Sequence, residues 1–162
     1  MTEEGDPAAA VVRARIDLRF EVGIILGSGL GGLADKVTEP VRIPYRDLPG
    51  FPVSTVSSHH NELICGWLEG VPVLVFAGRE HYYENANAAA MRGPLAMLKA
   101  LGADTLIATN AAGSLRTEVG PGELMLVTDH IAFSGPNPLI RVRTDRRLVG
   151  LTSASAPDLR AA

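Results

Sequence analysis

The sequence predicts an α/β fold in which parallel strands carry a ligand site beyond their carboxyl ends. Three features predict it. An apolar run delivers a glycine cluster in "VGIILGSGLGGL" at residues 22 to 33. A strand, helix and strand follow one another in "VPVLVFA", "AAAMRGPLAMLKALG" and "DTLIATN", an order that implies a parallel pair with a right-handed crossover. Polar clusters stand directly after the apolar runs, where open α/β sheets bind ligands. The chain has 162 residues, 46% hydrophobic and 20% charged, which is ordinary globular usage and enough for a sizeable core. A single domain over residues 1 to 162 is expected.

Taken in order, "AAVVRARI" predicts a short first helix and "FEVGIIL" the first buried strand. Residues 41 to 58 are broken by prolines and predict loop with one or two short strands. "ELICGWL" and "VPVLVFA" flank Glu69-Gly70, a two-residue connection of the kind that closes a β-hairpin. The polar and aromatic "GREHYYENAN" leads to Asn87, a cap for a helix whose Met91, Leu95, Leu98 and Leu101 recur at helical spacing as core packing. Pro94 predicts a kink and Gly102 the stop. "DTLIATN" fits a central strand, and "ELMLVTDHI" a further one.

Composition excludes several function classes. The net charge of −3 gives no basic field for nucleic acid, and "RVRTDRR" at 141 to 147 is a short solvated cluster. No apolar stretch approaches the roughly 18 residues of a membrane span, and "MTEEGDPAAA" lacks the order of a signal peptide. A cytoplasmic protein is expected. The lone Cys65 lies in an apolar strand and reads as a small core side chain.

The glycines invite a dinucleotide reading, because Gly27, Gly29 and Gly32 have the GxGxxG spacing. The context opposes it. Pro40 stops any helix begun near Leu30 before it could cross a sheet, and Asp47, at the right separation for a ribose contact, sits among Pro44, Pro49 and Pro52. What remains is a Gly-Ser-Gly turn able to surround an anion with backbone N–H groups and the Ser28 hydroxyl. Three further strand ends carry "GREH", "TNAAGS" and "TDH". Together they offer the Arg79 guanidinium, the imidazoles of His59 and His81, and small residues at Ala111, Ala112 and Gly113 that let backbone amides come close. That inventory suits inorganic phosphate or a phosphate ester. Plainer readings stand beside it: Arg79 pairing with Glu80 or Glu84 on the surface, and His130 after Asp129 as a structural histidine. "HHNE" and "HYYE" offer zinc-type ligands, but not in a compact motif, and Arg79 would repel a cation.

The ordered set "GIILGSGLGGL", "VSSHHNELICGWLEG", "VFAGREHYYE", "TNAAGSL" and "VTDHIAFSGPNPL" resembles the trimeric, low-molecular-mass class of purine nucleoside phosphorylases, from about Val22 to Leu139. The resemblance implies a nucleoside phosphorylase-like α/β fold, a central mixed sheet flanked by helices, of which this chain supplies the N-terminal portion. It implies phosphorolysis of a purine nucleoside to free base and ribose 1-phosphate, with inorganic phosphate as co-substrate and no other cofactor or metal. A homotrimer is the implied assembly, with neither nucleic acid nor membrane as partner.

By the same resemblance Ser28, His59, Arg79, Glu80, His81 and the backbone amide of Ala111 hold phosphate. Tyr83 contacts the ribose, and Asn110 and Ala112 belong to the substrate wall. Family members continue beyond the position of Ala162 and carry their base-binding Glu and Asn there, so the resemblance assigns no base-binding residue within residues 1 to 162. The segment "IRVRTDRRLVGL" is shorter than its family counterpart and lacks its aromatic, while Ser155 and Ala156 stand where relatives carry an acidic Tyr-Asp pair. Methylthioadenosine phosphorylase and a non-catalytic fragment are the alternatives left open.

Overall fold

The computed structural model describes residues 6–52, 60–131, 136–139, 142–145, 148–150 and 155–160. Internal packing divides the chain into two compact units, Met1–Ala111 and Ala112–Ala162.

The first unit is a mixed five-stranded sheet. Helix α1 (Asp6–Arg13) leads to β1 (Val22–Ile25), a 3-10 helix (Gly31–Lys36) and β2 (Thr38–Pro44); after a second 3-10 turn (Tyr45–Asp47) come β3 (Glu62–Leu68) and β4 (Val71–Ala77). Helices α2 (Tyr82–Asn85) and α3 (Arg92–Ala100) then precede β5 (Thr105–Ala108). The strand order is β2-β3-β4-β1-β5. β1 runs parallel to both β4 and β5, while β3 is antiparallel to β4 and to β2. β4 and β5, which flank the helical crossover, are therefore parallel to each other as expected, but they do not pair directly, because β1 lies between them.

Alternation along the strands fills two cores. Leu74 and Phe76 of β4 join Ile25, Leu63 and Cys65 on one face, covered by α1 and α3 through Val12, Met97 and Leu98. Val73, Val75 and Ala77 join Ile24, Leu26 and Ile64 on the other, covered by Ala34 and Val37 at the 3-10 helix. Burial on both faces explains why β4 reads as an unbroken apolar run. The β3–β4 connection is the expected hairpin: Glu69 and Gly70 both have positive φ, 49° and 79°, as a type I′ turn requires.

Several elements differ from the sequence reading. The proline-rich stretch begins with a seven-residue strand, β2, earlier and longer than expected. Prolines fit because β2 is an edge strand, and its register shifts between Thr38 and Val41, around Pro40. Asn87 caps a turn through its side chain, which accepts from Ala89 N–H, and α3 starts only at Arg92. Pro94 falls in the first turn of α3, where its missing N–H costs no helical bond, so it starts the helix and does not kink it. The buried face of α3 follows Pro94, Met97, Leu98 and Leu101, while Leu95 is exposed. Among the described residues β5 lies at the edge of the sheet, with Leu106 and Ile107 exposed, where a central strand was expected.

The second unit is irregular among its described residues, with turns and a short helix α4 (Pro157–Arg160). "ELMLVTDHI" is not a strand: residues 123–131 form no ladder, and Leu124, Met125 and Leu126 are exposed. A strand pattern yields a strand only when a partner supplies the ladder bonds. No helix among the described residues is long and apolar enough to cross a membrane.

Candidate functional site

Register gathers one end of the sheet. Ile25 lies opposite Phe76 on one side and Ala108 on the other, so β4, β1 and β5 deliver Gly78, Gly27 and Thr109 to the same edge. Antiparallel pairing of Glu62 with Ala77 and of Pro44 with Glu62 brings His60 and Tyr45 to that edge as well. Three of the four polar clusters expected at strand ends thus begin together. The fourth, at Thr128 to His130, belongs to the second unit, where Asp129 Oδ1 accepts the His130 backbone N–H at 2.8 Å.

Thr109 ties these ends to one another. Its hydroxyl donates to the Ile25 carbonyl at 2.9 Å and accepts from Gly27 N–H at 2.8 Å. Its own carbonyl accepts from Arg79 Nη1 at 2.6 Å. The glycine turn can sit this close because Gly27 has no Cβ; one built there would lie 2.8 Å from both Asn110 Cα and the Thr109 carbonyl oxygen. Gly29 takes φ 85°, a left-handed conformation that glycine adopts without penalty. A hollow of about 50 Å³ opens between this turn, His60 and Ala77–Gly78, with Ser28 on its wall. No crossover helix comes after the turn: the 3-10 helix ends at Lys36 and Val37 is already extended.

Tyr45 supports the same edge from beneath. Its buried hydroxyl donates to the Gly78 carbonyl at 2.8 Å, one residue before Arg79. Burial, with the Glu62 carboxylate nearby, pushes the phenol far above its ordinary range, so it remains a donor. Its ring packs on Phe51, which stacks on Phe76 at 6.2 Å.

Beyond Arg79 the chain forms α2, within the polar and aromatic "GREHYYENAN" to which the sequence assigns no element. His81 caps it in a capping box with Glu84, whose Oε1 accepts the His81 N–H at 2.7 Å, and the His81 ring stacks on Tyr83 at 5.0 Å. Glu80 accepts from Asn85 at 3.2 Å. Tyr83, Asn110 and Ala111 are exposed. Ala112 opens the second unit. His59 lies outside the described residues, and its neighbour His60 lines the hollow. Thr109, Tyr45 and His60 were not singled out from sequence. Thr109 stood within the quoted "TNAAGS", His60 was the second of an adjacent pair, and nothing marked Tyr45. Cys65 is fully buried in β3, and burial raises its thiol to about 12, which makes it an inert core residue.

Comparison with known proteins gives this arrangement a family. The Phosphorylase superfamily model matches residues 21–162. The chain belongs to the phosphorylase superfamily. Purine nucleoside phosphorylase 1 of Bacillus subtilis is 47% identical over 140 residues, covering 86% of this chain and 52% of that relative. The purine nucleoside phosphorylase of Rattus norvegicus is 37% identical over 164 residues, covering 98% of this chain and 57% of its own. Among superfamily structures, isoform 2 of the Schistosoma mansoni purine nucleoside phosphorylase, solved with cytosine and ribose-1-phosphate, superposes with a TM-score of 0.87 at 31% identity, over 98% of this chain and 57% of that one. The Schistosoma mansoni enzyme in complex with inosine gives 0.85 at 34%, with the same coverage. The expected fold, a nucleoside phosphorylase-like mixed sheet with flanking helices, is the observed one. The chain spans about half the length of the curated relatives it matches.

Proposed function

We propose that this chain is the phosphate-holding part of a purine nucleoside phosphorylase. The observation that carries the reading is the junction at Thr109, where the Gly27 turn and Arg79 are bonded to one residue at the carboxyl ends of parallel strands. Ser28, Arg79, Glu80, His81 and the Ala111 amide, with His59 from the same stretch as His60, form the phosphate site in this reading. Tyr83, Asn110 and Ala112 face the sugar. The bond from Arg79 to the Thr109 carbonyl orients the guanidinium at the strand ends.

The chemistry rests on the charge that develops. As the bond between the sugar C1′ and the purine ring nitrogen breaks, its electron pair leaves with the base, which takes up a proton, and the sugar becomes oxocarbenium-like. An oriented phosphate anion stabilises that cation and then donates an oxygen lone pair to C1′, giving ribose 1-phosphate. Inorganic phosphate is the co-substrate, with no further cofactor or metal. A homotrimer and a cytoplasmic location belong to the same proposal, supported by the resemblance in sequence.

Catalysis needs groups on both sides of the breaking bond, and losing one that stabilises developing charge costs about 100- to 1,000-fold in rate. With no base-binding group identified in residues 1 to 162, the chain alone is expected not to release hypoxanthine from inosine and phosphate. A hybrid in which the Bacillus subtilis relative supplies its residues C-terminal to the matched region is expected to release it, and to lose that activity with Arg79→Ala. A hybrid that folds and binds hypoxanthine yet makes no ribose 1-phosphate would refute the reading.

A further inference from the structure

We propose that Thr109 is a positioning residue that locks the glycine turn and Arg79 into one phosphate-binding geometry. The inference rests on the phosphate reading and adds to it a residue that need not touch the ligand. The Thr109 hydroxyl uses both of its capacities at once, donating to the Ile25 carbonyl and accepting from the Gly27 N–H. Ile25 ends β1 and Gly27 begins the turn that carries Ser28, so the hydroxyl fixes where the turn leaves the sheet. The Thr109 backbone is held independently, because its N–H also donates to the Ile25 carbonyl at 3.0 Å. That second bond keeps the Thr109 carbonyl in place to receive Arg79 Nη1.

The division of labour makes the side chain testable. Valine matches threonine in shape but offers neither donor nor acceptor, so Thr109→Val leaves the backbone link and strands the Gly27 N–H, a buried residue's donor, without its acceptor. Serine restores both bonds.

The test uses the whole chain, with inorganic phosphate as the titrant and backbone amide exchange followed by NMR. Thr109→Val is expected to bind phosphate about tenfold more weakly, equivalent to about 1.4 kcal/mol, and to lose protection at the Gly27 amide. Leu63 and Val75 amides in the β3–β4 hairpin keep theirs, which shows that the sheet is intact. Thr109→Ser is expected to return both phosphate affinity and Gly27 protection to the parent's values. Parent-like affinity in Thr109→Val overturns the positioning role. Absence of saturable phosphate binding in the parent overturns the phosphate reading itself, and undiminished Gly27 protection in Thr109→Val then overturns the hydroxyl's hold on the turn separately.

Discussion

Gly27→Ala is the substitution that most sharply separates a close-packed anion turn from a permissive loop. A Cβ at position 27 would lie 2.8 Å from Asn110 Cα and 2.8 Å from the Thr109 carbonyl oxygen, where ordinary contacts begin at 3.4 Å, so one backbone must move by 0.6 Å (3.4 − 2.8). Neither atom belongs to a side chain that could rotate away. Gly27 is outside the positive-φ set, which makes the cost steric. Overpacking of this kind costs about 1–3 kcal/mol, and the 2.8 Å bond from Gly27 N–H to Thr109 is strained with it. Taking about 2 kcal/mol and a urea slope of about 1.5 kcal/mol/M, the denaturation midpoint falls by roughly 1.3 M. Gly32→Ala is the matched control, since a Cβ there meets nothing within 4 Å. Its stability is expected within about 0.5 kcal/mol of the parent. In a dinucleotide fold the third glycine of the fingerprint permits close helix–strand packing, so that fold predicts a costly Gly32→Ala. Equal midpoints for Gly27→Ala and the parent would refute the close approach.

Three further outcomes rest on the same geometry. Tyr45→Phe removes the donor from the buried Gly78 carbonyl and is expected to cost about 1–2 kcal/mol in urea melts and to weaken phosphate binding; a variant unchanged in both would show that Tyr45 does not hold the Arg79 turn. Glu69→Asn relieves a left-handed backbone at φ 49° and is expected to raise stability by up to about 1 kcal/mol; a lower midpoint would contradict the type I′ turn. Cys65 ionises near its ordinary 9.0 when unfolded but only at about 12 when folded. Its contribution to stability is therefore full below about pH 9 and falls as pH rises toward 12, by at most about 1.4 kcal/mol per pH unit for this group. Cys65→Ala should be less stable at neutral pH yet show a shallower alkaline decline, and an unchanged slope in urea melts between those limits would contradict the shift.

What the sequence disclosed depended on whether local chemistry decided the outcome. Glu69-Gly70 between two apolar runs admits few structures besides a hairpin. The α3 face was harder, because Met91, Leu95 and Leu98 fit helical spacing nearly as well as Pro94, Met97 and Leu98; only tertiary packing chooses between neighbouring stripes. β2 was underestimated because proline opposes central strands, whereas an edge strand tolerates it at a register shift. "ELMLVTDHI" shows the converse, a strand pattern without the ladder that makes a strand. For the site, residue chemistry pointed to Ser28, Arg79 and His81, which carry a hydroxyl, a charge and an imidazole at strand ends. Thr109 and Tyr45 escaped notice because their roles are set by register across β4, β1 and β5 and by the burial of one phenol. Neither leaves a local pattern.

The most direct measurement is equilibrium dialysis of labelled inorganic phosphate against the purified chain and its Arg79→Lys variant. The Thr109 junction and a planar, forked guanidinium predict saturable binding in the parent and at least about tenfold weaker binding in Arg79→Lys, since an ammonium keeps the charge but loses the paired donors. Equal phosphate affinity in the two proteins, or no saturable phosphate binding in the parent, would contradict the phosphate site.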